Sequence, residues 1–467
     1  MIIGDMADRI FRGVESVQEG VNEALFEPVI RLGVTGLSRA GKTVFITSLV
    51  ANLLDRGRMP QFSPATAITA AYLQPQPDDT VPRFDYEAHL AAITAREPHW
   101  PDSTRAVSEL RLSFRVRPTG LLGALRSTRT VHLDIVDYPG EWLLDLGMMD
   151  KSFAEWSAEA LDAARRRAEG AAFLATLAGA DPAAKHEEPA AKTLAQGFTA
   201  YLQAARASGY SDCTPGRFLL PGEMEGSPVL TFAPLPEGRA PRGSLAREFE
   251  RRFDAYKREV VRPFFRDHFA RIDRQVVLVD ALGAIHAGPK AVEDLRRTMS
   301  DILGAFRPGR VGRLLSLLGQ HKVERILFAA TKADHIHHSQ HGRLTAIMEA
   351  LVRDARDRAD FAGAKTSAMS LAALRATVEE TRDHGGATLD LVRGTTLEGK
   401  RAAFYPGELP EDPAHILSPA RKGAESWLDG DYEVMRFAPA PLTLRPGEGP
   451  PHIRLDRAAE FLIGDKL

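Results

Sequence analysis

The chain has 467 residues, too many for one small core, so two or three domains are expected. It is 44% hydrophobic and 26% charged, and 60 basic against 62 acidic residues leave a net charge of −2, which gives no electrostatic reason to expect a nucleic-acid partner. Cys213 is the only cysteine, which excludes a disulfide framework, and no apolar run reaches the length of a membrane span.

The amino-terminal stretch lacks a signal-peptide apolar region, so a cytoplasmic placement is expected. Ile10, Val14, Val17, Val21 and Leu25 recur at helical spacing and predict an amphipathic helix within residues 1–27. Its opposite face carries Glu15, Glu19 and Glu23, which favours packing on the next domain over contact with anionic lipid. Pro28 to Val34 reads as a buried strand, and Val44 to Leu54 as a helix.

Between them stands Gly36-Leu-Ser-Arg-Ala-Gly-Lys-Thr43, a G-x-x-x-x-G-K-T loop in the strand–loop–helix context that phosphate binding requires. Backbone N–H groups from Gly36, Ser38, Arg39, Ala40 and Gly41 are expected to line phosphate oxygens at the positive end of the helix. Lys42 is placed to reach the β- and γ-phosphates, and Thr43 to offer its hydroxyl to Mg²⁺.

The stretch from about Arg58 to Asp102 is rich in Pro and Gln and reads as irregular. Thr104 follows, where a mobile segment could supply a hydroxyl to the Mg²⁺ shell, with Ser103 and Ser108 as competitors. Glu109 to Arg117 and Thr130 to Val136 predict an antiparallel hairpin leading into Asp137-Tyr-Pro-Gly140. Asp137 is expected to hold Mg²⁺ through water, and the Gly140 N–H to meet the γ-phosphate. Asp280-x-x-Gly283 matches the same short pattern, but Asp137 is preferred because it follows the hairpin. Glu141 stands where a Ras-type enzyme carries the water-orienting Gln, which predicts slow hydrolysis unless an arginine assists; Arg39 and Arg105 are the candidates.

Residues from about Ser152 to Asp273 are Ala-, Glu- and Arg-rich and predict helices, Phe153–Leu177 and Leu245–Phe269 among them. Strands resume at Gln275–Asp280 and Val323–Ala330, with a helix at Ala291–Phe306 between. The second strand leads into Thr331-Lys-Ala-Asp334, similar to the guanine-reading pattern [NT]-K-x-D. A carboxylate at Asp334 accepts from guanine N1–H and its amine, donors that adenine does not pair on that edge. Lys332 would cover the base, and Thr331 replaces the usual Asn. His335, His337, His338 and His341 follow; a polar loop of solvated histidines is preferred there over a metal site. After a helix at Arg343–Arg358, a last strand runs into Thr366-Ser367-Ala368, where a backbone N–H at Ser367 or Ala368 would support guanine O6.

Gly36 to Thr43, Trp100-Pro-Asp-Ser-Thr104 with Ser108-Glu109, Val136-Asp-Tyr-Pro-Gly-Glu-Trp-Leu-Leu-Asp145 and Pro215-Gly-Arg-Phe-Leu-Leu-Pro-Gly222 together resemble the YcjX-like family of bacterial P-loop proteins. The resemblance implies a stress-associated GTP-binding protein with a Ras-like core and a helical insertion. It also implies a link to a membrane-protein neighbour, with peripheral association at the inner face of the membrane.

The expected fold is α/β, a P-loop NTPase with a Ras-like (TRAFAC-type) mixed sheet. The core is expected at 28–150 and 273–382, a helical insertion at 151–272 and a C-terminal β-rich extension at 383–467. The expected function is GTP and GDP binding with Mg²⁺ and slow GTPase turnover as a switch. The alternative is a nucleotide-bound interaction scaffold without turnover, and a small-molecule kinase is disfavoured by Thr331–Asp334.

Overall fold

A computed structural model describes residues 27–36, 40–102, 106–118, 128–210, 212–238, 240–304, 323–361, 363–422 and 435–467. The expected amino-terminal helix, Ser38, Arg39, Ser103, Thr104 and Arg105 lie outside them.

Seven strands form one sheet. In chain order they are β1 (Val29–Gly36), β2 (Ile68–Gln74), β3 (Ser108–Val116), β4 (Arg129–Asp137), β5 (Arg274–Val279), β6 (Arg325–Ala330) and β7 (Lys365–Ser370). Their spatial order is β2-β3-β4-β1-β5-β6-β7. β3 runs antiparallel to both β2 and β4, and every other neighbouring pair is parallel. This mixed sheet, with the phosphate-loop strand at its centre and an antiparallel hairpin beside it, fits a Ras-like GTPase core.

Both sheet faces are covered, which is why the central strands read as nearly unbroken apolar runs. On β5, Val276 and Leu278 point to one face and Val277 and Val279 to the other. The first face packs on α1 (Lys42–Leu54) and, from the far end of the chain, on α15 (Leu455–Ile463) through Leu455, Ala458 and Leu462. The second face is continuous with a larger apolar cluster. It runs from Val277 and Phe328 through Trp142 to Phe198, Phe232 and Phe249. Hairpin register is fixed by a buried cross-strand pair: Arg111 donates to both carboxylate oxygens of Asp134 at 2.6 and 2.8 Å, directly opposite it.

Two regular elements lie in the stretch expected to be irregular, and they correct that expectation. β2 extends the sheet beyond the hairpin, and α2 (Tyr86–Thr94) follows, capped by the Asp85 carboxylate accepting from Ala88 N–H. β2 is an edge strand with only Ile68 buried, so its Ala-rich sequence shows none of the alternation that marks a half-buried strand.

Helices fill the chain between β4 and β5: α3 (Gly140–Leu144), α4 (Phe153–Arg166), α5 (Ala171–Ala178), α6 (Glu188–Ala207), α7 (Gly216–Leu219), α8 (Leu245–Tyr256) and α9 (Arg262–Asp267). The two long helices expected here are each interrupted. Arg167 leaves the helical backbone and ends α4, and a wider π-turn at Lys257–Val261 separates α8 from α9. At their centre the Trp156 ring stacks on Phe253 at 5.2 Å and meets Phe232 edge-on at 5.4 Å.

Between β5 and β6 lie α10 (Ala281–Ala287) and α11 (Pro289–Gly304), and between β6 and β7 lie α12 (His341–Leu351) and α13 (Arg353–Phe361). Beyond the sheet, β8 (Val378–His384), β9 (Ala387–Thr395) and β10 (Arg401–Phe404) form an antiparallel meander, followed by α14 (Ala414–Lys422). Among the described residues no helix is long and apolar enough to cross a membrane.

Candidate functional site

The C-terminal ends of the parallel strands open into a cleft of about 1510 Å³. Gly36, Ala40, Gly41, Lys42 and Thr43 line one part of it, and Thr331, Lys332 and Asp334 another. The loop after β1 and the loop after β6 therefore face the same space, although nearly three hundred residues separate them in sequence. A crevice outside the carboxyl ends of such strands is the usual ligand site of an α/β sheet.

The phosphate-loop geometry follows from its glycines. Gly41 adopts φ +77°, the left-handed conformation that glycine takes without steric cost, and its carbonyl starts α1 by accepting from Phe45 N–H at 2.9 Å. The first residues of α1 thereby present their N–H groups to the cleft, with the positive end of the helix behind them. Gly140 is packed against the same loop: a side-chain carbon there would lie 2.6 Å from the Gly36 carbonyl oxygen. The loop after β4 is thus seated directly on the end of β1.

Lys42 makes an ion pair with Asp137, whose side chain is 1% exposed. Only one carboxylate oxygen is used. Asp137 Oδ2 is buried and has no hydrogen-bond partner among the described residues, a condition that invites a further ligand. Thr43, the neighbouring hydroxyl, is buried at the start of α1. A carboxylate and a hydroxyl are hard oxygen donors, the set suited to Mg²⁺. The residues present therefore fit that ion, which Asp137 and Thr43 would hold.

At the other end, Asp334 is buried, and its Oδ2 accepts from Ala376 N–H at 2.9 Å. Its backbone carbonyl accepts from the Thr377 hydroxyl. Lys332 sits at φ +61° and pairs with Asp280. That contact explains the second Asp-x-x-Gly match. Asp280 caps α10 by accepting from Gly283 N–H at 3.0 Å, with its other oxygen on Lys332. Thr331 donates its hydroxyl to the Val279 carbonyl at 3.3 Å, holding the loop to β5.

Ser367 and Ala368 are not in the cleft, which corrects their expected role. They lie inside β7, opposite Leu327 and Phe328 of β6. The strand continues to Ser370, and Ala372, Ala373 and Leu374 after it line the cleft instead. A short Ser-Ala pair does not reveal where its strand ends.

Glu141 is buried and ion-paired at 2.6 Å with Arg206 from α6. Arg217 from α7 stacks its guanidinium over Trp142 at 3.3 Å. Both arginines line the cleft. Sequence reasoning missed them as site residues. Arg217 falls within the Pro215–Gly222 string that carried family likeness, whereas Arg206 has no local signal. The same helical segment grips α3 closely. A side-chain carbon on Gly216 would meet the Glu141 carbonyl oxygen at 2.4 Å, and the Asp145 carboxylate accepts from Gly216 N–H at 2.8 Å and from the Tyr256 hydroxyl at 2.5 Å. Burial pushes the Asp145 carboxyl up to about 7.

Two aromatic groups close the end of the cleft near Asp334. Phe437 meets His335 edge-on at 5.3 Å, and Trp100 donates its indole N–H to the Phe437 carbonyl at 2.8 Å. Burial holds the His335 imidazole below its ordinary range, so it is neutral at pH 7.

Comparison with known proteins matches this arrangement to one family. The model of the YcjX-like family, DUF463, matches residues 30–467. A relative from Escherichia coli, named Ras-like GTPase YcjX, is 37% identical over 456 residues, covering 94% of this chain and 96% of the relative. A second, of the same name and from Shewanella oneidensis, is 34% identical over 467 residues, covering 94% of each. With all of the sheet but Val29, both cleft loops and the helical segment inside the matched region, the chain belongs to the YcjX-like family.

Proposed function

We propose that this chain binds GTP and GDP with Mg²⁺ and hydrolyses GTP slowly, acting as a nucleotide-dependent switch. The observation that carries the reading is the cleft lined by Gly36, Ala40, Gly41, Lys42 and Thr43 and also by Thr331, Lys332 and Asp334. Names of the relatives as Ras-like GTPases support it.

Lys42 pairs with one Asp137 oxygen here, and a magnesium nucleotide would give both residues new partners at once. Lys42 would turn to the β- and γ-phosphates, and Asp137 and Thr43 to the ion, which would neutralise phosphate charge. Gly140, held against Gly36, would offer its N–H to the γ-phosphate. Asp334 would read the guanine edge, with the Lys332 stem and Ala372–Leu374 around the base. Hydrolysis needs a positioned water and neutralised charge. Glu141 paired to Arg206 is not free to orient a water, and an unpaired Glu141 carboxylate would repel the γ-phosphate. Both situations make turnover slow. Arg206 and Arg217, with Lys192, are cationic groups that line the cleft from the helical segment between β4 and β5. The same Arg206–Glu141 pair favours, as a second reading, a nucleotide-bound scaffold that hydrolyses nothing.

The deciding experiment is a side-by-side titration of GTP, GDP and ATP with Mg²⁺, followed by phosphate release on the same sample. Guanine nucleotides are expected to bind at least tenfold more tightly than ATP, with slow phosphate release. Tighter ATP binding would refute the guanine reading, and GTP binding without release would leave the scaffold.

A further inference from the structure

Beyond the nucleotide cleft, the segment after Asp334 meets the meander through a set of nitrogen and oxygen donors. His337, His338 and Glu379 each offer one ligand atom, and these atoms all lie within 4.8 Å of one another. His338 Nδ1 lies 2.7 Å from Glu379 Oε2, and His337 Nε2 lies 3.9 Å from the same oxygen. Donors about 2.1 Å from a tetrahedral zinc are about 3.4 Å apart, a value these two distances bracket.

We propose that His337, His338 and Glu379 form a site for a first-row divalent transition metal of the zinc class. The surroundings of His337 carry the argument further than the three donors alone. Its Nδ1 lies 3.1 Å from Asp390 Oδ2 on β9, while Nε2 is the ring atom turned to Glu379. An oxygen that accepts a hydrogen bond from one ring N–H leaves the other nitrogen with its lone pair free, which is how metal-bound histidines are oriented. Asp390 is itself held, its Oδ1 accepting from the Thr381 hydroxyl at 3.1 Å and its Oδ2 from the Ser339 hydroxyl at the same distance. Ser339 stands between ring and carboxylate: its hydroxyl oxygen is 2.9 Å from His337 Nδ1, and the hydroxyl donates to Asp390 Oδ2. It thus accepts from the ring N–H and ties the ring to the carboxylate, while the Ser339 backbone N–H, at 3.4 Å, is the weaker contact. Glu379 turns its other oxygen toward Arg375, 3.5 Å away, leaving Oε2 to the histidines.

The charge balance favours a cation. Two carboxylates, Glu379 and Asp390, face one arginine, Arg375, so a divalent ion meets net negative charge. His337 is buried on the inner side, and the His338 side chain is 68% exposed, which gives the ion an entry path. Nitrogen donors distinguish this site from the oxygen-only pair of Thr43 and Asp137, and select zinc, cobalt or nickel over Mg²⁺. An ion held there would join the loop carrying Asp334 to β8 and β9.

The test uses the full chain, stripped with a chelator and kept in Mg²⁺. Zinc is titrated calorimetrically, and cobalt(II) binding is followed by its visible absorption. One equivalent of zinc is expected to bind, and cobalt is expected to show the spectrum of an imidazole-ligated ion. H338A removes an exposed side chain whose loss leaves the core intact, and with E379Q it should abolish the stoichiometric uptake. D390N should weaken zinc by about 10–100-fold by releasing the His337 ring. D137N should leave zinc binding unchanged, which separates this site from the nucleotide cleft. Failure of the wild-type chain to take one equivalent would overturn the proposal. So would H338A and E379Q chains, with wild-type circular dichroism, that bind zinc as the wild type does.

Discussion

Asp334→Asn tests the link between the far loop and base choice. Asp334 Oδ2 accepts from Ala376 N–H at 2.9 Å, so one position of the substituted amide must remain an oxygen. That forces the amide nitrogen into the place of Oδ1, where it presents donors to the base. Guanine also presents donors, N1–H and the exocyclic amine, so an attractive charge-assisted contact becomes a clash. Each lost hydrogen bond to a charged group is worth about 1.5–3 kcal/mol, and about 1.4 kcal/mol corresponds to tenfold in affinity. GTP and GDP affinity should therefore fall by roughly 10–100-fold for one such bond, and further if both are lost. Xanthine carries a carbonyl where guanine has its amine, so XTP should lose less or gain. The assay is a competition titration of GTP, GDP and XTP on wild-type and D334N chains, with circular dichroism to verify folding. Unchanged GTP affinity in D334N would refute the assignment of this loop to the base.

The other expectations concern the phosphate end and the helical segment. Gly140→Ala places a carbon 2.6 Å from the Gly36 carbonyl, so one loop must shift. A destabilisation of about 1–3 kcal/mol is expected in denaturant melts, together with weaker GTP binding, and an unchanged midpoint would contradict the packing. Arg206→Ala leaves the buried Glu141 carboxylate without its partner, so GTP affinity should fall more than GDP affinity. The added E141Q change should restore the ratio; an unchanged ratio in R206A would remove this pair from the phosphate end. Asp145 has a raised folded pKa of about 7, so the native state holds a proton that the unfolded chain has released. The stability this group contributes is present below the unfolded carboxyl value and is lost as pH rises toward 7. The stability of D145N relative to wild type should accordingly rise between pH 4 and pH 7. A flat difference across that window would show that Asp145 is not held protonated.

What the sequence by itself determined was local. A G-x-x-x-x-G-K-T string between a buried strand and an amphipathic helix dictates its own backbone, because only glycine takes the φ of +77° found at Gly41 without strain. The strands at Arg274–Val279 and Arg325–Ala330 announced themselves because a strand buried on both faces reads as an apolar run. Those at Ser108–Val116 and Arg129–Asp137 did so because Leu110, Leu112 and Phe114, and Val131, Leu133 and Ile135, alternate with polar residues. The edge strand at Ile68–Gln74 carries no such constraint and stayed hidden. Ser367 and Ala368 were misjudged because a β-strand sets its end by pairing with its neighbour, not by its own residues. Only the tertiary structure decided that Arg206 meets Glu141 and that Gly216 packs on its carbonyl. The same holds for His337, His338 and Glu379. Each contact joins residues whose approach is fixed by the burial of one large apolar cluster, a sum over the whole chain that no single stretch records.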